Sequence, residues 1–187
     1  NNAVSIRGSD SHDIIVTNNK IESLRVGVEV QTGAHDIVIS NNDIPLSHFG
    51  TVFGAWGISE SMTGSQRYEM DLRQAIYQWY HHWIFNSSSF MGISLSAYAG
   101  SNIDVGNNKI TDGFIAIDVT AEKTSLMNNI RIHDNSISRF SSGAIYARGS
   151  LVNLQIYNNL TNDTNYAVRN HELDMDAARK VYIYNNW

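Results

Sequence analysis

The amino-acid sequence predicts an all-β protein, a right-handed parallel β-helix whose coils stack as a solenoid. One motif, apolar–x–apolar–x–Asn–Asn–x–apolar, recurs along the chain, as in DIIVTNNKI (13–21) and DIVISNNDI (36–44). The last Asn positions of successive motifs are separated by 23, 46, 20, 27, 24 and 27 residues. A repeat of this length is typical of a solenoid, in which each coil buries the apolar face of its neighbours.

The alternation inside each motif predicts a strand with one buried face, because successive side chains of a strand point to opposite sides. A second apolar–x–apolar segment precedes most motifs, as in VGVEV (26–30) and MGISL (91–95). Each coil is therefore predicted to contain a first strand, a turn, the motif strand, an Asn turn and a short third strand. The seven motifs lie at 13–21, 36–44, 83–90, 103–110, 130–137, 154–161 and 181–187, so we expect about seven coils.

Asparagine is unusually frequent, with 21 among 187 residues, and its placement predicts a ladder. Side-chain amides that recur at one turn can hydrogen-bond to each other and to neighbouring backbone groups, which satisfies polar atoms inside the stack. Hairpin turns of a β-sandwich are the alternative, but hairpin strands recur every 8–12 residues or so. The predicted ladder positions are Asn19, Asn42, Ser88, Asn108, Asn135, Asn159 and Asn186.

Length and composition predict a single β-helix domain over 1–187 and exclude several classes of partner. The charge is mildly acidic, with 13 Lys and Arg against 18 Asp and Glu and without a basic block, so we expect no nucleic acid partner. No apolar run reaches the roughly 18 residues of a membrane span. Because the chain starts and stops within coils, we expect a fragment of a longer protein that lacks its end caps, or ends covered by neighbouring domains or subunits.

Residues 62–82 interrupt the repeat and predict one helical insertion. Apolar residues recur there every four positions, which indicates an amphipathic helix beside the first strands. An aromatic cluster at its end could form the wall of a sugar-binding site, or could pack against the coils. The predicted substrate-binding residues of this cluster are Tyr77, Trp79, Tyr80 and His81.

The first-strand segments GVEV (27–30), GISL (92–95) and AIDV (116–119), each followed by an Asn motif, resemble the pectin-lyase-like β-helix superfamily. The resemblance implies a protein that cleaves or binds polysaccharide on the first-strand sheet, outside the cell or on a virion surface. It makes Ca²⁺ a possible cofactor and, in the tailspike context, a homotrimer a possible assembly. The Arg-x-Pro-x-x-Arg, Asp-Pro-His-Asp and Asn-Thr-Asp motifs of individual families are absent from the sequence.

On that sheet, the residues between inward apolar side chains are expected to face solvent. Five outward residues with catalytic chemistry are expected on three consecutive coils, which stack about 4.8 Å apart. The candidate catalytic residues are Asp118, Tyr146, Arg148, Arg169 and His171. Glu29, a candidate substrate-binding residue, is expected about three coils, or roughly 14 Å, from Asp118.

This cluster favours β-elimination of an acidic polysaccharide over two alternatives. Arg148 and Arg169 can neutralise a sugar carboxylate, and His171 or Tyr146 can take the adjacent proton. Glycoside hydrolysis needs paired carboxylates, and Asp118 lacks a partner on this face unless Glu122, Glu172 or Asp174 approaches it from a loop. The non-enzymatic alternative is a polysaccharide-binding or structural shaft segment, such as part of a tailspike. The repeated His-Asp pairs at 12–13 and 35–36 are interpreted as turn-holding residues, and no metal site is predicted.

Overall fold

The computed structural model describes residues 2–22, 26–46, 91–96, 100–121, 126–173 and 179–187, and this part of the chain contains fourteen strands and no helix. The strands are β1 Asn2–Arg7, β2 His12–Thr17, β3 Val26–Gln31, β4 His35–Ser40, β5 Asp43–Pro45, β6 Met91–Ser96, β7 Ser101–Gly106, β8 Lys109–Thr120, β9 Met127–His133, β10 Ser136–Gly149, β11 Leu151–Tyr157, β12 Leu160–Thr164, β13 Val168–Leu173 and β14 Arg179–Tyr184.

The strands form a parallel β-solenoid with three faces, which confirms the predicted fold class. The first face contains β1, β3, β6, the second halves of β8 and β10, and then β13. The second face is a six-stranded sheet in the order β2, β4, β7, β9, β11, β14. The third face contains β5, the first halves of β8 and β10, and β12. Every strand pair is parallel, as the repeat requires.

The predicted count of seven stacked coils is wrong, because β4 and β7 are direct neighbours in the stack. Ile37 of β4 pairs directly with Ile103 of β7, so no strand separates these two rungs. The second face of the described chain therefore has six strands. The motif at 83–90, with Ser88, and the helix predicted at 62–82 lie outside the described residues.

The core is the column of aliphatic side chains that the motif predicts. The first apolar position of each motif on the four inner rungs is at most 1% exposed, and the third is fully buried. These pairs are Ile37 with Ile39, Ile103 with Val105, Ile130 with Ile132, and Leu154 with Ile156. The intervening side chains Ile15 and Val38 point outward and are exposed. Burial of a full Ile or Leu side chain stabilises the fold by about 1.5–3 kcal/mol, so each repeated aliphatic pair contributes several kcal/mol of apolar stabilisation to the core.

The second Asn of each motif forms the predicted ladder through the interior of the solenoid. The Asn42 Nδ2 donates to Asn108 Oδ1 at 3.1 Å, and Asn108 Nδ2 donates to Asn135 Oδ1 at 3.1 Å. The series continues to Asn159 at 2.9 Å, and each amide also bonds to backbone atoms. Asn108, for example, donates to Ile39 O at 2.9 Å and accepts from the backbone N–H of Asn42 at 3.0 Å. Polar groups that are almost fully buried are therefore satisfied.

The first Asn of each motif has a different task, because its backbone is left-handed. Asn18, Asn41, Asn107 and Asn158 have φ between 55° and 59°, and Asp134 occupies the same position with φ 54°. Asn and Asp adopt this conformation at lower cost than other side chains that carry a Cβ. The Asn-Asn pair therefore combines a residue that turns the chain with a residue that bonds to the next rung.

We expect Asn108→Asp to lower the free energy of unfolding by about 3 kcal/mol, or roughly 6–12 °C in Tm. The substitution removes both amide donors from a residue that is 1% exposed and introduces a buried charge. Asn107→Asp is the matched control, since it makes the same chemical change at the exposed, left-handed neighbour. Chemical denaturation of both variants measures the difference, and equal stabilities would contradict the ladder's role.

Candidate functional site

The strand register stacks the candidate residues of the first face in the predicted order. Tyr146 of β10 pairs with Asp118 of β8 on one side and with Arg169 of β13 on the other. Arg148 pairs with Thr120, two residues further along the same strands. The β-sheet register thus brings a carboxyl group, a phenol and two guanidinium-bearing residues onto three neighbouring strands.

The expectation that this whole column faces solvent is wrong. Glu29 and Asp118 are only 5% and 6% exposed, and the strands that carry them, β3 and the second half of β8, are buried on both faces. A separate buried apolar cluster of Val26, Met91 and Ile115 lies on β3, β6 and β8. The accessible part of the candidate site is instead its far end, where Arg148 is exposed and Tyr146 and Arg169 are half-buried.

The expected separation of Glu29 and Asp118 is also corrected. Glu29 pairs with Ser94, and Ser94 pairs with Asp118, so the two carboxyl-bearing residues stand two rungs apart. At about 4.8 Å per rung this is about 10 Å, whereas three coils would give roughly 14 Å. The difference arises because β3 pairs directly with β6 on this face.

The carboxylate of Glu29 is fully engaged by side chains of its own and the preceding rung. Its Oε2 accepts from Asn2 Nδ2 and Arg7 Nη2, both at 2.6 Å, and from Ser5 Oγ at 3.2 Å. Its Oε1 accepts from Gln31 Nε2 at 3.0 Å. This network stabilises a buried charge by pairing it, and in the described structure it ties β1 to β3.

Asp118 is a buried acid that can titrate near neutrality. Burial raises the pKa of Asp118 to about 6, and the hydrogen bond from Thr120 Oγ1 at 2.9 Å and the positive charge of Arg148 oppose that rise. A carboxyl group whose pKa is strongly raised by burial marks a candidate functional residue, since such groups exchange protons near physiological pH.

Arg169 is held by aromatic rings, because its guanidinium carbon lies 5.4 Å from the ring centroids of both Tyr146 and Tyr166. A cation over an aromatic face is stabilised by the ring quadrupole. Next to this group, β13 contains a bulge: Ala147 pairs with Asn170 and Gly149 with Leu173. His171 and Glu172 therefore both oppose Arg148, and the side chain of His171 lies outside the described part of the structure.

The predicted aromatic wall, Tyr77, Trp79, Tyr80 and His81, also lies outside the described residues. The repeated His-Asp pairs lie at the starts of β2 and β4. The His12 and His35 rings stack at 5.3 Å, and each Nδ1 lies within 2.7 Å of the carboxylate of the following Asp. In the described ranges, no three His, Cys, Asp or Glu side chains are grouped so as to hold a metal ion. Calcium, expected from the resemblance, stays a prediction.

Sequence reasoning missed a polar cluster on the second face. Asp104 bonds to Arg131 Nη2 at 2.5 Å and to His133 Nε2 at 2.8 Å, and His133 stacks on Tyr157 at 5.0 Å. The His133 ring lies directly over Gly106, where any Cβ would come within 2.6 Å of it. The signal in the sequence was the drift of the motif's middle position from apolar residues to Asp104, Arg131 and Gln155.

A further missed element is an outer ladder at the turn before the second face. Asn102 donates to Asp36 Oδ1 at 2.8 Å, Asn129 to Asn102 at 2.9 Å, and Asn153 to Asn129 at 2.6 Å. All four have left-handed backbone conformations. An Asp or Asn stands immediately before the first apolar residue in these motifs, and this spacing could have predicted the outer ladder.

Comparison with known proteins adds no family assignment: no protein-family model, curated protein or solved structure matches the chain. Among the described residues, no helix has the length and apolar character needed to cross a bilayer. Functional inference therefore depends on the site geometry.

We expect Asp118→Asn to raise the free energy of unfolding at pH 8 by about 1–3 kcal/mol. Because the pKa of Asp118 rises from 3.8 to about 6 on folding, the native state is favoured while the carboxyl is protonated, and stability is lost as pH rises from about 4 through about 6. The Asn variant escapes this loss, so its advantage should vanish near pH 4.

Denaturation curves of the wild type and Asp118→Asn between pH 4 and pH 8 test this expectation. Asp10→Asn, at an exposed turn residue, is the control for loss of one negative charge. An advantage of Asp118→Asn that is independent of pH would contradict the titration of Asp118.

Proposed function

We propose that this β-solenoid binds an acidic polysaccharide along its first face and cleaves it by β-elimination. The observation that carries the proposal is the stack of Asp118, Tyr146 and Arg169 on neighbouring strands, with Arg148 exposed beside it. Two guanidinium groups next to a phenol and an acid of raised pKa supply the charges and proton transfer that elimination from a uronic acid requires.

In this mechanism Arg148 and Arg169 pair with the carboxylate of the sugar and stabilise the negative charge that develops when the neighbouring carbon loses its proton. Tyr146 in its phenolate form accepts that proton, and the neutral imidazole of His171 is the alternative base. The electron pair of the broken C–H bond forms a carbon–carbon double bond, and the bond to the glycosidic oxygen breaks. The leaving oxygen takes up a proton from solvent, and the base returns its own proton to solvent. The products are one fragment with a free hydroxyl group and one fragment with an unsaturated sugar at its end.

Asp118 is proposed as a positioning residue, since it is too buried to touch a polymer. When ionised, its charge attracts the Arg148 guanidinium, and the two residues interact electrostatically. Above a pH of about 6, Asp118 would therefore hold Arg148 on the face, whereas protonation of Asp118 would release it.

Glycoside hydrolysis is the second candidate, favoured by the separation of Glu29 and Asp118. Two rungs correspond to about 10 Å, close to the 6.5–9.5 Å between the carboxyl groups of inverting enzymes. The burial of both residues, 5% and 6% exposed, argues against direct contact with a sugar. Elimination by the exposed end of the site is therefore ranked first.

The resemblance to the pectin-lyase-like superfamily supports the same substrate class. We also propose that the protein is located outside the cell or on a virion surface. It would assemble as a homotrimer or with further domains. A shaft that binds polysaccharide without cleaving it is the non-enzymatic alternative, and the assays below distinguish the three.

We expect incubation with polygalacturonate, alginate and an acidic capsular polysaccharide to produce the ultraviolet absorbance of an unsaturated sugar from at least one polymer. Arg148→Ala and Arg169→Ala should each lower the rate at least tenfold, which corresponds to about 1.4 kcal/mol of transition-state stabilisation. Lys109→Ala removes an exposed positive charge from the third face and should leave the rate unchanged. New reducing ends without absorbance would select hydrolysis, and binding without either product would select the shaft.

The rate of elimination should increase as pH rises through about 6, because ionised Asp118 is needed to hold Arg148. Asp118→Asn should lower the rate and remove this step from the pH–rate profile. Hydrolysis with Asp118 as the general acid requires the opposite slope, a rate that falls as pH rises through about 6.

A further inference from the structure

The second face of the solenoid carries a groove that the proposed elimination does not use. It has a volume of about 470 Å³ and runs across β4, β7, β9 and β11. Three rung spacings give it a length of about 14 Å along the stacking axis. Its volume lies within the range of small-molecule and oligosaccharide sites, about 300–1,000 Å³.

One wall of the groove is the outer ladder of Asp36, Asn102, Asn129 and Asn153. In each bond of the ladder, one Asn donates one of its two side-chain N–H groups to an oxygen of the next residue. Each Asn side-chain oxygen has two lone pairs and can accept two hydrogen bonds. With respect to bonds within the described ranges, Asn129 therefore retains a second N–H donor and a second acceptor site. The wall consequently offers alternating donors and acceptors at the rung spacing.

The other wall is the column of outward residues two positions further along the same strands, Val38, Asp104, Arg131 and Gln155. Asp104 is held in place, since one of its carboxylate oxygens bonds to Arg131 and the other to His133. The two ion pairs thus fix the position of Asp104 on this wall. The charged residues that line the groove are the carboxylates of Asp36 and Asp104 and the guanidinium of Arg131.

This charge pattern differs from that of the first face, where Arg148 and Arg169 favour an acidic polymer. A chain of uronic acids would gain little from a groove that has more carboxylates than cations. Sugar hydroxyl groups both donate and accept hydrogen bonds, and a row of amides matches them. The column continues from Gln155 to Tyr182, which is 49% exposed and offers an aromatic ring at the end of the groove.

We infer that this groove is a second, non-catalytic binding site for a neutral, hydroxyl-rich glycan chain that lies parallel to the stacking axis. The amides of Asn102, Asn129 and Asn153 bond to its hydroxyl groups on one side, and Gln155 bonds from the other. Tyr182 stacks against the terminal sugar. Because it lies on a different face, this site is independent of the proposed cleavage.

The test is calorimetric titration with three neutral probes, cellohexaose, mannohexaose and xylohexaose. At least one should bind with a Kd below about 1 mM, and the side-chain amide NMR signals of Asn102, Asn129 and Asn153 should shift on binding. The double variant Asn129→Gly and Gln155→Ala should weaken that binding at least tenfold. Glycine retains the left-handed backbone of Asn129, which has φ 55°, so the fold is preserved.

Asn158→Gly is the matched control, since Asn158 is exposed and also has φ 55° but lies outside the groove. It should bind the probes like the wild type, and so should Arg148→Ala, whose site is on the first face. The inference is overturned if none of the three probes binds, if the double variant binds them unchanged, or if Asn158→Gly weakens binding equally. Loss of elimination activity alone would reject the proposed function and leave this site intact.

Discussion

The buried amide ladder is the constraint on which the remaining structure depends. An Asn side chain inside the solenoid is satisfied only when the amides of the adjacent rungs stand directly above and below it, because its donors and acceptors point along the stacking axis. A shift of one residue would leave these groups unpaired and would also turn every aliphatic side chain of that rung outward. The ladder and the core therefore enforce the same register.

A fixed register converts sequence spacing into surface geometry. Residues 20–30 positions apart become neighbours about 4.8 Å apart. The sequence spacing therefore decides which outward side chains are adjacent on the surface. The first face has an exposed cationic end and a buried acidic centre, while the second face has a groove lined by amides. These two surfaces share one scaffold, and their different charges are the reason that we propose different glycan ligands for them.

Local patterns predicted a large part of this structure. The alternation in the motif at 36–44 identified the buried pair Ile37 and Ile39, and the second Asn identified Asn42 as a member of the ladder. The same approach failed on the coil count, because it expected a rung between the motifs at 36–44 and 103–110, whereas β4 pairs directly with β7. It also expected Glu29 and Asp118 to be exposed, because alternation shows which way a side chain points relative to its own sheet but not what packs outside that sheet.

The repeat was sufficient to specify the parallel solenoid, its aliphatic interior and the inner ladder, because these features depend on short periodic segments that each coil presents in the same way. Three features became apparent only in the tertiary structure. They are the direct pairing of β4 with β7, the two-rung separation of Glu29 and Asp118, and the groove on the second face. Each depends on which strands pair although they are far apart in the sequence. This pairing is decided by the packing of the whole stack, so the spacing of local motifs does not predict it.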